Sequence, residues 1–439
     1  MSMILSEFYG RIKGIEDPYK VLPEMWEESG PDMVSRLDGL FCFVMKDNDT
    51  DDTFAARDRF GTRTMYFAHS HEGVLICGHS LKDVLNRSGI EPKPDRNAVA
   101  TYIRMGFPSG RQTLCEQVQR LDSGSWLWSH NGKFEIRRYY QPSPCVHSEI
   151  PSQLWADRIH DTVSAICSEE QCKVSLLSSG IDSAYMTAML PATNTYTVTF
   201  KERSELSGAV ETTSILGIPN NPIMVTREEF LSYAEEALVN RELPTADASY
   251  IALYISMMKF DGGKVICSGE GVDELMLGYH HYEPLSGNIG GLISRQLFNC
   301  LESIGDETLP SLEAVSSASG VEFHFPFLDR RFADLCMDIP IDCKIIRNIG
   351  KFTFRRAVLN VLPASIAFRY KMGFPVPMEQ WMKSDEWEPV IRNAITDGTL
   401  EFLAGKEAVE HCLNEDNWRK KWIAYTLVIW YKHFILKEK

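Results

Sequence analysis

The sequence predicts an α/β fold: a β-rich first third, then a parallel sheet whose strands alternate with helices, then a mostly helical C-terminal part. Three observations predict it. Short apolar runs separated by polar turns recur in the first third. Beyond residue 145 strand-like and helix-like segments alternate. The final quarter reads as almost continuous helix.

In the first third, Leu40-Phe41-Cys42-Phe43-Val44-Met45 is an apolar run. A polar turn over Asp47 to Asp52 follows, and Thr53-Phe54-Ala55-Ala56-Arg57 resumes the pattern. That sequence is a hairpin signal. Arg57-Asp58-Arg59-Phe60-Gly61 forms a charged turn closed by glycine, and Thr64 to Ala68 and Val74 to Cys77 are the next strands. Tyr140-Gln141-Pro142-Ser143-Pro144-Cys145 breaks the pattern. It sets a boundary between residues 1–145 and 146–439. A chain of 439 residues is expected to hold two or three domains, at roughly 100–200 residues each.

Beyond the boundary, a helix over Leu154 to Cys167 precedes the strand Val174-Ser175-Leu176-Leu177. A Ser/Gly loop leads into a helix from Ser183 to Leu190, and Thr195 to Phe200 is the next strand. A further helix ends near Leu216, and Lys264-Val265-Ile266-Cys267 is a later strand entering another Gly-rich loop. Such alternation implies a parallel sheet.

Hydrophobic residues make up 44% and charged residues 24%, ordinary values for a globular chain with a large core. The net charge of −15 argues against a nucleic-acid footprint, which needs clustered Lys and Arg. The eleven cysteines are scattered without a CxxC pair. They are expected to be reduced, and their spacing gives no sign of a structural zinc site. The N-terminus has no signal-peptide pattern, and no apolar stretch is long enough to span a membrane. Trp422 to Leu436 is expected to be a buried helix, and the default location is the cytoplasm. The oligomeric state is left open, a homo-oligomer included.

Leu177-Ser178-Ser179-Gly180-Ile181-Asp182-Ser183 is the most informative segment. It leaves a strand and opens a helix, where small residues let N–H groups converge on an anion and the helix dipole favours negative charge. The hydroxyls of Ser178 and Ser183 are candidate phosphate donors, and Asp182 is a candidate Mg²⁺ ligand. The alternative is a plain strand-to-helix turn with Asp182 and Ser183 as caps. A second loop, Ser268-Gly269-Glu270-Gly271-Val272-Asp273-Glu274, also joins a strand to a helix. Its three carboxylates repel one another unless a cation or substrate amine is near.

The first loop resembles the SGGxDS loop of PP-loop ATP pyrophosphatases, with Ser179 in place of the first Gly. The second resembles the SGEGxDE signature of the asparagine synthetase family, which includes β-lactam synthetases and lasso-peptide cyclases. Gly278-Tyr279, Pro326-Phe327-Leu328-Asp329, Gly350-Lys351 with Arg355, and Arg369 to Pro377 extend the resemblance in the family's order. In the first third, Leu37 to Phe43 and Ala56 to Gly61 resemble the family's Ntn-hydrolase-like glutaminase domain. That domain begins with a catalytic Cys after the initiator Met, whereas Ser2 stands here and the first cysteine is Cys42. The expectation is a truncated glutaminase-like part lacking its nucleophile, followed by a PP-loop synthetase domain.

The resemblance implies ATP and Mg²⁺ as cofactors, with Asp182 and Asp273 on the metal. It places Leu177, Ser178, Gly180, Ser183, Val198, Ser268, Gly269 and Lys351 around the nucleotide. Lys351 and Lys371 would neutralise pyrophosphate and charge on an acyl-adenylate, and Glu270 would be the base that frees the attacking amine. Glu270 matches the asparagine-synthetase form of the loop; β-lactam synthetases resemble the family with Tyr there. The implied reaction joins a carboxylate to ammonia or an amine, with no nucleic acid or membrane partner. Intramolecular ring closure and a non-catalytic scaffold are the alternatives. His324 and the run Arg241-Glu242-Leu243-Pro244 depart from the family pattern, and are expected to reshape the acceptor pocket away from plain aspartate.

Overall fold

The computed structural model describes residues 3–47, 49–131, 133–145, 149–279, 301–370, 373–374, 376–414 and 417–437. The first third folds into eight strands: β1 (Met3–Ile12), β2 (Gly39–Asp47), β3 (Thr53–Arg57), β4 (Tyr66–His69), β5 (Leu75–Gly78), β6 (Gln119–Arg120), β7 (Ser125–His130) and β8 (Lys133–Arg138). They form two antiparallel sheets, ordered β1-β2-β3-β7-β8 and β5-β4-β6. The expected hairpin is β2–β3.

The unbroken apolar run of β2 has a simple cause: both of its faces are covered. Successive side chains point to opposite sides. Phe41, Phe43 and Met45 join Leu22, Trp26 and Phe54 in one cluster, while Cys42 and Val44 join Phe67, Cys77 and Leu127 in another.

The second half contains β9 (Val174–Leu176), β10 (Asn194–Thr199), β11 (Asn220–Met224), β12 (Val265–Cys267) and β13 (Glu322–His324). They pair in parallel in the order β11-β10-β9-β12-β13. The chain therefore builds outward from β9 in one direction, then returns to its other side with β12. This reversal opens a crevice at the carboxyl ends of β9 and β12, the place where open α/β sheets bind ligands. Strands β11 and β13 carry too little apolar patterning to stand out in the sequence.

The C-terminal helix Trp418–Phe434 is buried, as expected of the Trp422 to Leu436 run. Trp422 lies 5.9 Å from the Trp387 ring and 6.1 Å from Phe230. Among the described residues, no helix is long and apolar enough to cross a membrane.

The two halves are joined by buried polar contacts. The charged turn at Arg57 is interior, and Arg57 donates to the carbonyls of Arg63, Leu121, Gly61 and Gly305. Arg120 donates to the Asp306 carboxylate at 2.6 Å and to the Asp306 carbonyl at 3.0 Å. Thr64 donates its N–H and hydroxyl to Glu313 at 2.9 and 2.7 Å. Replacing Arg120 strands the buried Asp306 carboxylate. Arg120→Met is expected to lower stability by about 3–5 kcal/mol, read from chemical denaturation.

Candidate active site

Strand β9 ends at Leu176, and the chain turns through 177–180 into the helix Ile181–Met189. Strand β12 ends at Cys267 and turns through 268–271 into the helix Val272–Met276. Because Cys267 is the register partner of Ser175, the two turns lie side by side. Their backbones nearly touch: a Cβ on Gly269 would sit 3.0 Å from the Ser183 nitrogen. Glycine at 269 is thus a condition of the approach.

Side chains organise the first turn. The Ser178 N–H donates to the Ser183 hydroxyl at 3.1 Å, and the Gly180 N–H donates to the Ser178 hydroxyl at 3.1 Å. The Ser179 N–H donates to the Glu205 carboxylate at 3.2 Å. In this structure these three N–H groups donate within the protein, two to serine hydroxyls and one to the Glu205 carboxylate. Burial raises the Glu205 pKa, against the opposing bond from Ser179. Arg369 closes the turn from outside, donating to the Ser179 carbonyl at 2.8 Å and to Glu211 at 2.8 Å.

Lys351 links the two turns. Its buried ammonium lies 2.5 Å from Asp182 Oδ2 and 2.7 Å from Asp273 Oδ1. Burial alone would lower its pKa, but the charges of Asp182 and Asp273 outweigh that effect and the pKa is raised. The lysine stem passes against Gly278, where a Cβ would come within 1.9 Å of Lys351 Cε. This explains the Gly of the Gly278-Tyr279 pair. The crowded second loop accordingly has its cation, supplied from 78 residues farther along the chain (351 − 273). Asp182 and Asp273 are hard oxygen donors from two loops aimed at a point that already accepts positive charge, and this arrangement fits Mg²⁺.

Glu274 is fully enclosed. Burial, then the charge of Asp273, pushes its carboxyl up to about 7, and the Tyr279 hydroxyl donates to it at 2.5 Å. Glu270 is half-buried and 3.5 Å from the Ser268 hydroxyl.

Leu177, Ser178, Gly180, Asp182, Ser183, Val198, Ser268, Gly269, Glu270, Asp273 and Lys351 all line one cavity of about 580 Å³. Lys371 lies outside the described residues. The cavity is also lined by residues the sequence reading did not assign, among them Glu205, Asp247, Tyr250, Ser311, Arg355 and Arg369. Arg355 and Arg369 belong to the family-like runs, and that context was their only signal; no local pattern marks Glu205. His324 and residues 241–244, which depart from the family pattern, stand elsewhere. None of them lines this cavity. Arg241 is buried against Glu307 at 2.7 Å, and Glu242 reaches Ser80 and Leu81 in the N-terminal half.

The Asparagine synthase family model matches residues 154–292 and 294–432, and the Glutamine amidotransferase domain model matches residues 16–140. The chain is similar to the glutamine-hydrolyzing asparagine synthetase 1 of Bacillus subtilis (strain 168), with 24% identity over an alignment of 520 residues covering 96% of this chain and 81% of that protein. It is also similar to the glutamine-hydrolyzing asparagine synthetase B of Escherichia coli (strain K12), 24% identical over 393 residues, covering 81% of this chain and 64% of that protein.

The raised Glu274 pKa has a consequence for stability. The folded chain holds this proton more tightly than the unfolded chain does, so Glu274 favours folding at low pH and loses that contribution as pH rises through about 7. Glu274→Gln keeps an acceptor for Tyr279 and cannot ionise. It is expected to flatten the fall in thermal midpoint between the ordinary carboxylate range and pH of about 7, measured as Tm against pH relative to the parent.

Proposed function

This chain belongs to the asparagine synthase family, and we propose that it is an ATP-dependent, AMP-forming ligase that adenylates a carboxylate and passes the acyl group to ammonia or another amine. The supporting observation is the convergence of Asp182, Asp273 and Lys351 from three separate segments on one point, in a cavity that also holds Glu270. In this reading residues 146–439 carry the ligase chemistry, and residues 1–145 are a glutaminase-like unit.

The turn at 177–180, with Val198, Ser268 and Gly269, receives the nucleotide. Asp182 and Asp273 would hold Mg²⁺, which would offset the charge of the ATP phosphates. A substrate carboxylate oxygen attacks the α-phosphorus, and the bond to the β-phosphate oxygen breaks. Pyrophosphate leaves beside the fixed positive charge of Lys351, with Lys371 as a second cation. The products of this step are acyl-AMP and pyrophosphate. The amine must be neutral to attack the acyl carbon, and Glu270 takes its proton as the C–N bond forms and AMP departs.

The nitrogen source is proposed to be free ammonia or a substrate amine rather than glutamine. Glutamine hydrolysis needs an activated nucleophile. Cys42, on β2, is fully buried, donates to the Thr64 carbonyl and has its thiol pushed well above the usual range by burial. Burial also drives Cys77 and Cys115 up to about 12. Thiols held neutral in this way are poor nucleophiles.

Pyrophosphate exchange across a panel of carboxylic acids tests the reading. At least one acid should drive exchange of label between pyrophosphate and ATP, with AMP as the nucleotide product; turnover to ADP alone would overturn it. Asp182→Asn should abolish exchange. Glu270→Gln should slow amide formation by roughly 10²–10⁴-fold while adenylation falls far less, and equal losses in the two steps would remove the base role. With glutamine labelled at its amide nitrogen, the product should carry no label.

A further inference from the structure

A second group of ligating side chains assembles on the same sheet, and none of them lines the nucleotide cavity. Cys267 closes β12, His324 closes β13, and Glu170 follows the helix Ser152–Glu169. The Cys267 sulfur, a His324 ring nitrogen and a Glu170 carboxylate oxygen all lie within 4.8 Å of one another. Cys172 offers a second sulfur beside this group, against the Val265 carbonyl of the strand that Cys267 closes. The backbone fixes all four. Cys267 and His324 are register partners across β12 and β13, and the Ser268 N–H donates to the His324 carbonyl at 2.9 Å. The Cys172 sulfur sits 3.3 Å from the Val174 carbonyl and 3.4 Å from that of Val265, at the entry to β9.

Two sulfurs, one imidazole and one carboxylate make a donor set of the type zinc takes, and the thiols disfavour Mg²⁺ or Ca²⁺. Surrounding groups fit a bound cation. Glu170 already accepts from His324 Nδ1 at 2.9 Å and from the Cys172 N–H at 3.0 Å, which aims its carboxylate into the cluster. Glu322 lies 3.5 Å from His324 Nε2 and orients the ring from outside. Two thiolates and a carboxylate around Zn²⁺ leave one net negative charge. The half-exposed Arg11 lies 3.1 Å from His324 Nδ1 and 2.7 Å from Nε2, so its guanidinium swings off the ring when the ion binds and stays close enough to balance that charge. A cavity of about 260 Å³, lined by Arg11 and Glu170 among others, adjoins the cluster on its Glu170 side.

We propose that Glu170, Cys172, Cys267 and His324 form a zinc-binding site that ties the ends of β12 and β13 to the entry of β9. The site has a structural role and stands independently of the ligase reading. Zinc displaces the two thiol protons on binding, and no redox step is involved.

The test uses the full chain, purified without chelator and analysed for metal by mass spectrometry. About one zinc per chain is expected. Metal-free protein reloaded with Co²⁺ should show an intense thiolate-to-cobalt charge-transfer band and tetrahedral d–d bands. Cys172→Ser with Cys267→Ser should remove the band and weaken zinc binding more than tenfold, and His324→Ala should do the same for affinity. No zinc uptake at micromolar free metal, a cobalt spectrum without thiolate bands, or a Cys172–Cys267 disulfide mapped in freshly prepared protein would each overturn the proposal. The cobalt spectrum of the unaltered chain decides the matter even if the serine variants misfold. Pyrophosphate exchange is a separate measurement, so failure here leaves the ligase reading standing.

Discussion

A buried ammonium between two carboxylates joins the two strand-end turns of the parallel sheet. Asp182 and Asp273 stand on different turns, and without a shared cation their charges would drive those turns apart. Lys351 sits within 2.7 Å of both and is buried itself, so the attraction acts where water screens it poorly. Such a bridge has a large desolvation cost and is weak evidence of net stability. Its value lies in position: it fixes where positive charge is available at the mouth of two strand-end turns. Close approach of the turns also needs Gly269, and passage of the lysine stem needs Gly278.

The N-terminal sheets are coupled to this arrangement through buried hydrogen bonds. Arg57 and Arg120 hold the carbonyls of Gly305 and Asp306, and Arg241 continues the chain of contacts to Glu307 and Ser311. Ser311 lines the cavity of about 580 Å³. One wall of the cavity is therefore anchored to strands more than a hundred residues away in sequence. This gives the N-terminal sheets a physical role: they brace the segment at 305–311 that forms this wall. The end of β12 has a comparable double use, with Ser268 opening into the cavity and Cys267 set beside the His324 imidazole and the Glu170 carboxylate.

The strand–helix alternation, the β2–β3 hairpin and the buried C-terminal helix were legible in the sequence because each is a local pattern of apolar period and turn residues. The two loop motifs took their meaning from the resemblance to the asparagine synthetase family, and every described residue that the resemblance assigned to the site lines one cavity. Other features depend on contacts far apart in the chain. The capture of the loop carboxylates by Lys351, the carboxylate of Glu205 on the Ser179 N–H, and the removal of Arg241 and His324 from the cavity wall are all of this kind. Spacing argued against a zinc site because Cys172, Cys267 and His324 are far apart in sequence. They meet only because parallel pairing sets β9, β12 and β13 side by side. Local patterning alone thus determined several of the strands, helices and glycine-lined turns. Tertiary structure decided which charges share a point, since strand order across a sheet is set by pairing between distant segments and leaves no local periodicity to read.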